Sequence, residues 1–447
     1  MDERGDDDGQ RHFHAPLAQA DAAVARLLAL ESRRLVGRLE LGASENYVSL
    51  AQQQASASAL GNVTVEGYPG ARFLGTSPYV DALEQLAIER ACRVFGARHA
   101  NVQPHSGTQA NQAVFMAVLR PGDCVLAMGL ADGGHFSHGD PATLSGQRYR
   151  AVHYGVRADG FIDEDELQAL ARQHRPRLIV AGGSAYPRAI DFARLAAIAR
   201  EVGARLMADI AHVAGLVAAG LFPNPLPHAD AVTTTTYKNL RGVRGGLVLT
   251  MDDALARRVD EALCPTLQGT PILGLVAGKA VALGEALTPA YADYHRRVLA
   301  NARALAAALQ AQGLHVQTGG TDVPFAVVDV RPLGLDGRRA AACLDACGIG
   351  ANAVPLPGDA DFARASGLRL GTSAVTTRGF GAVDCAQAAA WVAAALQPGS
   401  DHAHIAEAVA ARVRQLPFYA DPERDPVHHP IRPAAAALSR PTDPPRR

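Results

Sequence analysis

The sequence predicts an α/β protein: a mostly parallel sheet flanked by helices, followed by a smaller C-terminal α/β unit. Three observations predict this. Short apolar or β-branched runs at 178–181, 206–208 and 230–236 alternate with a helical pattern, and a strand–helix–strand rhythm builds parallel sheets. The run 245–250 is also strand-like but follows Thr236 too closely for a helical crossover, so that pair is expected to be antiparallel. Finally, the 447 residues are 48% hydrophobic and 19% charged, a globular composition with ample material for a core.

Taken in order, residues 1–16 are polar and expected to be disordered. Val24, Leu27, Leu28 and Leu35 recur at helical spacing over 17–35, an arm helix. A second helix is expected over 79–94, with Val80, Leu83, Leu86, Ala87 and Ala91 on one face and Gly96 as its stop. Asp191 can cap a helix whose inner face is Phe192, Leu195, Ile198, Ala199 and Val202, ended by Gly203. The pattern loosens over 283–294. An Ala-rich helix (294–313), a strand (325–330), a helix (338–347) and the segment 367–371 follow. Length alone suggests about three domains at ~150 residues each. The patterning instead divides the chain into an arm (1–50), a large domain (51–285), a small domain (286–417) and a Pro-rich, disordered tail (418–447).

Composition excludes several functions. Lys+Arg number 43 and Asp+Glu 44, a net charge of −1, so no broad basic footprint for nucleic acid or anionic membranes exists. The longest run without a polar side chain, 213–222, is half of the ~20 residues a membrane helix needs. The acidic start MDERGDDDGQ lacks a signal-peptide pattern, and the six cysteines form no CxxC pair. A cytoplasmic enzyme is the expectation.

Five segments are rich in chemistry-bearing residues. His105-Ser106-Gly107-Thr108 is a small-residue turn entering a helix, suited to a phosphate but equally to a simple cap. His135 and His138, in DGGHFSHG, could ligate a metal or lay an imidazole against an aromatic ligand. Asp209 and His212 follow a strand, at the end where ligands of open α/β sheets bind, and a buried acid there needs a partner. Lys238 closes TTTTYK at another strand end, as an imine-forming amine or a solvated lysine. Arg369 sits inside an apolar strand and needs a carboxylate, from a ligand or from a structural ion pair. The run GIGANA (348–353) imitates a dinucleotide fingerprint, but it follows a helix rather than a strand. Together, a phosphate turn, an aromatic-facing His, a strand-end Asp, a strand-end Lys and a carboxylate-binding Arg suit pyridoxal phosphate chemistry on an amino acid.

The runs LGASENY (41–47), EGYPGARF (66–73), ANVQPHSGTQAN (100–111), DGGHFSHG (132–139), MADIAHVAGLVAAG (207–220), VTTTTYKNLRG (232–242) and GLRLGTSAVTTRGF (367–380) resemble the serine hydroxymethyltransferase family over about residues 35–400. The resemblance implies a fold type I pyridoxal phosphate-dependent transferase and a homodimer or homotetramer with sites at subunit interfaces. It implies that Lys238 is the imine lysine, Asp209 the partner of the pyridine nitrogen and His135 the residue stacked on the ring. Ser106, Gly107 and Thr108 would hold the phosphate, aided by Thr235 and by Gly269 of a glycine-rich loop. Ser184 and His212 would flank the ring hydroxyl. Ser44 and Arg369 would bind the substrate carboxylate. Glu66, from the neighbouring subunit, would be the acid/base group near substrate and tetrahydrofolate.

Departures from the family pattern fall in the same site. Tyr237 stands where the family has His, Thr64 and Phe73-Leu74 replace tyrosines, and Cys264 replaces an aromatic. The loop 265–270 is poorer in glycine, and Val354 is aligned with a folate-contacting Asn. The leading expectation is reversible Cα–Cβ cleavage of serine to glycine with one-carbon transfer to tetrahydrofolate. The rival is a folate-independent aldolase or transaldolase on threonine, 2-methylserine or another bulkier β-hydroxy amino acid. A non-catalytic relative that binds the cofactor or RNA is the third reading.

Overall fold

The computed structural model describes residues 13–360, 362–416 and 419. The chain divides into two compact units, one running 38–416 and the other comprising the segments before and after it. The expectations for 1–12 and for the tail at 420–447 lie outside the described residues. The arm helix is interrupted: Leu17–Ala20 and Ala22–Gly37 are separate helices. Asp21 causes the break, because its carboxylate accepts from the N–H groups of Ala23 and Val24 at 3.1 and 3.0 Å and so caps the second helix.

The unit 38–416 is built on seven strands: β1 His99–Asn101, β2 Cys124–Met128, β3 Arg150–Tyr154, β4 Leu178–Ala181, β5 Arg205–Asp209, β6 Ala231–Thr235 and β7 Gly246–Thr250. Their order is β1-β7-β6-β5-β4-β2-β3. The strands from β2 to β6 pair in parallel, and β7 runs antiparallel to both β6 and β1. The expected antiparallel 230–236/245–250 pair is therefore present.

Successive residues of each strand point to opposite faces, and both faces are covered. Leu126, Ile179, Leu206, Val232 and Leu249 face one core, shared with Phe95, Phe192 and Leu195. Val125, Val180, Met207 and Val248 face another, shared with Val114, Phe115 and Leu255. Burial on both sides is why these strands read as continuous apolar runs rather than alternating ones.

Helices α1 (Pro78–Phe95), α2 (Gly107–Val118) and α3 (Phe192–Val202) begin at side-chain caps from Ser77, Ser106 and Asp191. Gly96 and Gly203 end α1 and α3 at φ of 73° and 71°, where glycine avoids Cβ strain. The loosened pattern at 283–294 is the junction of two helices, α4 (Leu273–Ala286) and α5 (Pro289–Ala311). Proline at the first position of α5 starts that helix five residues earlier than its apolar spacing suggested.

A second sheet follows, with strands β8 His315–Val316, β9 Phe325–Asp329, β10 Asn352–Val354 and β11 Gly367–Gly371 in the antiparallel order β8-β9-β11-β10. Leu368 and Leu370 of β11 enter its core with Leu305, Val328 and Val392. Arg369, between them, points the other way. The fingerprint-like Gly350 pairs in parallel with Glu40, and a Cβ on it would lie 2.2 Å from the Glu40 carboxylate. That glycine is demanded by a neighbouring side chain, not by a phosphate.

Replacing Ile179, wholly buried in the interior strand β4, by Ala is expected to lower the unfolding free energy by about 2–5 kcal/mol, read from the chemical denaturation midpoint.

Candidate active site

One cavity opens at the carboxyl ends of the central strands. Ser106, Gly107, Thr108, Asn111, His135, Gly183, Ser184, Asp209, Ala211, His212, Thr235, Tyr237 and Lys238 line it. The grouping draws short stretches from distant parts of the chain. It arises because β5 and β6 deliver Asp209 and Thr235 side by side, while α2 starts beneath them.

The first-turn N–H groups of a helix have no intrahelical acceptor. Ser106 caps α2 by accepting from the Gln109 N–H at 3.1 Å. Gly107 is required here, because a Cβ would sit 2.6 Å from the Thr235 methyl. The cradle is therefore small, polar and positive in potential, fit for a phosphate.

Asp209 is the electrostatic centre. Burial opposes its ionisation, but the hydrogen bond from His138 Nε2 at 3.0 Å, the neighbouring His138 and His135 rings, and the Asn111 amide at 2.8 Å outweigh it, holding the carboxyl well below the usual range. The Ala211 N–H adds a third hydrogen bond at 3.0 Å. Asn111 is oriented by Thr233, whose hydroxyl donates to Oδ1 at 2.6 Å, and it also donates to the Ser137 hydroxyl at 2.9 Å. Ser137 in turn meets His135 Nδ1 at 2.7 Å. Burial, then the neighbouring His138, pulls His135 down to about 4, so its imidazole is neutral. His138, read from the sequence as half of a possible metal pair, is thus the partner of Asp209. Asn111 was not singled out: an amide inside a quoted motif gives no chemical signal until the fold brings Asp209 to it.

Lys238 is buried, with Nζ 3.0 Å from His212 Nε2. Burial lowers its pKa to about 8; Asp209 opposes this, while Arg369 and Arg244 assist it. Arg244 also lies over the Tyr237 ring, 4.5 Å from its centroid.

Arg369, on β11, reaches residues that line the cavity. It donates to the Ser184 carbonyl, to the Ser44 hydroxyl at 3.0 Å and to Asn352 Oδ1 at 3.1 Å, and lies 3.5 Å from His212 Nε2. Burial pulls it down to about 10, so it stays cationic at neutral pH. Among the described residues no carboxylate pairs with it, and its Nε has no partner. Among the described residues the structural ion pair that the sequence left open is not formed. Val354 is buried among apolar side chains, and the Asn352 amide, two residues earlier on the same face of β10, reaches Arg369.

Glu66 and Gly269 are not brought to the Lys238 cavity. They lie against each other, such that a Cβ on Gly269 would be 2.7 Å from the Glu66 carboxylate. The loop around Gly269 is tied to its own chain by Gln268, which donates to Gln103 at 3.1 Å.

The residues present fit pyridoxal phosphate: a glycine cradle for the phosphate, an anionic Asp209 for a pyridinium, a buried amine, and the unpartnered Nδ1 of His212. Fold and cavity together define a fold type I pyridoxal phosphate-dependent transferase. The serine hydroxymethyltransferase family model matches residues 17–392, and the chain belongs to that family. A serine hydroxymethyltransferase of Caulobacter sp. (strain K31) is 53% identical over 379 residues, covering 84% of this chain and 87% of the relative. One from Paramagnetospirillum magneticum is 52% identical over 371 residues (83% and 87%), and one from Acidiphilium cryptum 49% over 413 (91% and 96%).

The lowered pKa makes the Lys238 amine neutral above about pH 8, where it is nucleophilic. The initial rate at which cofactor-free protein takes up pyridoxal phosphate, followed by visible absorbance, is expected to rise with pH to a midpoint near 8. In Arg244→Leu, which removes a nearby cation, the midpoint should move upward. A wild-type midpoint at the ordinary lysine value of ~10.4 would contradict this account.

Proposed function

We propose that the chain interconverts serine and glycine, exchanging the one-carbon unit with tetrahydrofolate and using pyridoxal phosphate as cofactor. The observation that carries this reading is the buried Arg369 guanidinium, with no carboxylate partner among the described residues, beside the buried Lys238 amine and the Asp209 anion. A cation so placed awaits the carboxylate of an amino acid. The names borne by relatives about half identical to this chain favour serine and one-carbon transfer over the folate-independent aldolase.

Pyridoxal phosphate, when bound, draws electron density away from Cα and so weakens the bond to Cβ. The chain's own residues do the rest. Lys238 holds the cofactor, and Asp209, fixed as an anion, keeps the pyridine nitrogen protonated. Ser106, Gly107, Thr108 and Thr235 hold the phosphate, Ser184 and His212 the ring hydroxyl, and the neutral His135 offers its face to the ring. Tyr237, covered by Arg244, adds an aromatic wall beside Lys238. Arg369 and Ser44 receive the substrate carboxylate, with Asn352 steadying the guanidinium. In these terms the arm covers 1–50, the large domain 51–285 and the small domain 286–417.

A homodimer supports this reading best. Phe73 and Leu74 are exposed (60% and 49%) on the hairpin that begins at Glu66, and Glu66 and Gly269 stand apart from the chain's own cavity. A second copy would cover the former and receive the latter, with Glu66 shuttling a proton near the substrate hydroxyl. Among the described residues no single helix is long and apolar enough to cross a membrane, and we place the enzyme in the cytoplasm.

Assays on serine, threonine and 2-methylserine, each with and without tetrahydrofolate, test the reaction. Serine turnover that requires folate, at ~1–10³ per second, is expected; folate-independent turnover of the bulkier substrates with none of serine would refute it. The shared site has its own test. Lys238→Ala and Glu66→Ala proteins, each inactive alone, are expected to regain activity when refolded together, because mixed dimers contain one intact site. No recovery would place Glu66 in its own chain's site or outside the reaction.

A further inference from the structure

Lys279, in the middle of α4, is 2% exposed and uninvolved in the chemistry above. Lysines on buried helix faces ordinarily extend to water. This one ends inside the protein, where a charge is costly unless its hydrogen-bonding capacity is met. Its Nζ donates to the carbonyls of Val102 at 2.6 Å, Pro104 at 2.9 Å and Gly246 at 3.1 Å. An ammonium has three N–H groups, and all three are used. Burial lowers its pKa, while the Glu84 carboxylate opposes that shift.

The three carbonyls belong to two segments: the stretch between β1 and α2, and the first residue of β7, the strand that pairs with β1. The Pro104 carbonyl also accepts the Gly246 N–H at 2.9 Å. The Ser106 carbonyl occupies the space where a Cβ of Gly246 would fall, at 2.4 Å. Gly245 likewise leaves room for the ammonium, since a Cβ on it would be 2.6 Å from Nζ. The stretch so pinned runs directly into Ser106, Gly107 and Thr108.

We propose that Lys279 is a positioning residue for the cofactor phosphate: by gathering the carbonyls of Val102, Pro104 and Gly246 onto one ammonium, it fixes the turn that presents Ser106, Gly107 and Thr108. The inference rests on pyridoxal phosphate occupying the Lys238 cavity. Without the ammonium, three carbonyls converge with no common donor, and the turn that holds the phosphate loosens while the ring-binding residues on β5 and β6 stay in place.

The test titrates cofactor-free wild type, Lys279→Met and Lys279→Gln with pyridoxal phosphate and, separately, with pyridoxal, which lacks the phosphate. Both variants are expected to lose about 10- to 100-fold in affinity for pyridoxal phosphate and less than about threefold for pyridoxal. Inorganic phosphate should compete for the wild-type site far better than for the variant sites. Equal losses for the two ligands, or unchanged pyridoxal phosphate binding in either folded variant, would overturn the proposal. So would failure of both variants to fold, which would make Lys279 a support of the whole core. A wild-type protein that binds no pyridoxal phosphate would instead sink the reading of the cavity itself, and this inference with it.

Discussion

The site depends on one constraint: a carboxylate must stay ionised while almost wholly buried at the end of β5. Burial alone pushes Asp209 towards its protonated form. Donors from three separate places prevent that: Asn111 on α2, His138 on the loop after β2, and the Ala211 N–H just beyond the strand. Each donor is itself fixed. Thr233 of the next strand orients Asn111, and Asn111 reaches Ser137, which meets His135. The register of β5 on β6, with Asp209 opposite Thr233, is therefore an electrostatic requirement as well as a packing one.

The cations of the cavity are arranged around that anion. Lys238 and Arg369 are both buried, and each lowers the pKa of groups near it. Asp209 offsets their repulsion only in part. The surplus positive charge, carried by Arg369 without a carboxylate, is what makes the cavity a receptor for an anionic amino acid end and for a phosphate. Arg369 comes from the second sheet, Ser44 from the segment beyond Leu39–Glu40, and Lys238 from the turn after β6. A site built from such distant parts explains why residues 38–416 behave as one compact unit.

Much of this was legible in the sequence. The β-branched run before Lys238, the apolar run before Asp209 and the apolar residues flanking Arg369 each announced a strand with a polar residue at its end or within it, because a charge there breaks an otherwise apolar pattern. Caps such as Asp191 and stops such as Gly96 were legible because they act within one turn of chain. β2, β3 and β10 were not: β10 spans only three residues, Arg150 and His153 interrupt the apolar pattern of β3, and nothing local marks β2. Asn111, Asn352 and Lys279 were missed for a related reason. Amides, and a lysine in an Ala-rich helix, have no distinctive local pattern, and their roles come only from what they face.

Local patterning by itself determined the alternation of strands and helices and the antiparallel last pair, and the residue types of five segments pointed to the cofactor class, because periodicity and residue chemistry are properties of the chain. Tertiary structure decided the rest. It made His138 a partner of Asp209, left Arg369 without a carboxylate partner among the described residues, put Asn352 beside it, and set Glu66 with Gly269 away from Lys238. Those outcomes depend on which side chains meet across distances of tens to hundreds of residues, and whether a buried polar group is paired or free is settled only by that meeting.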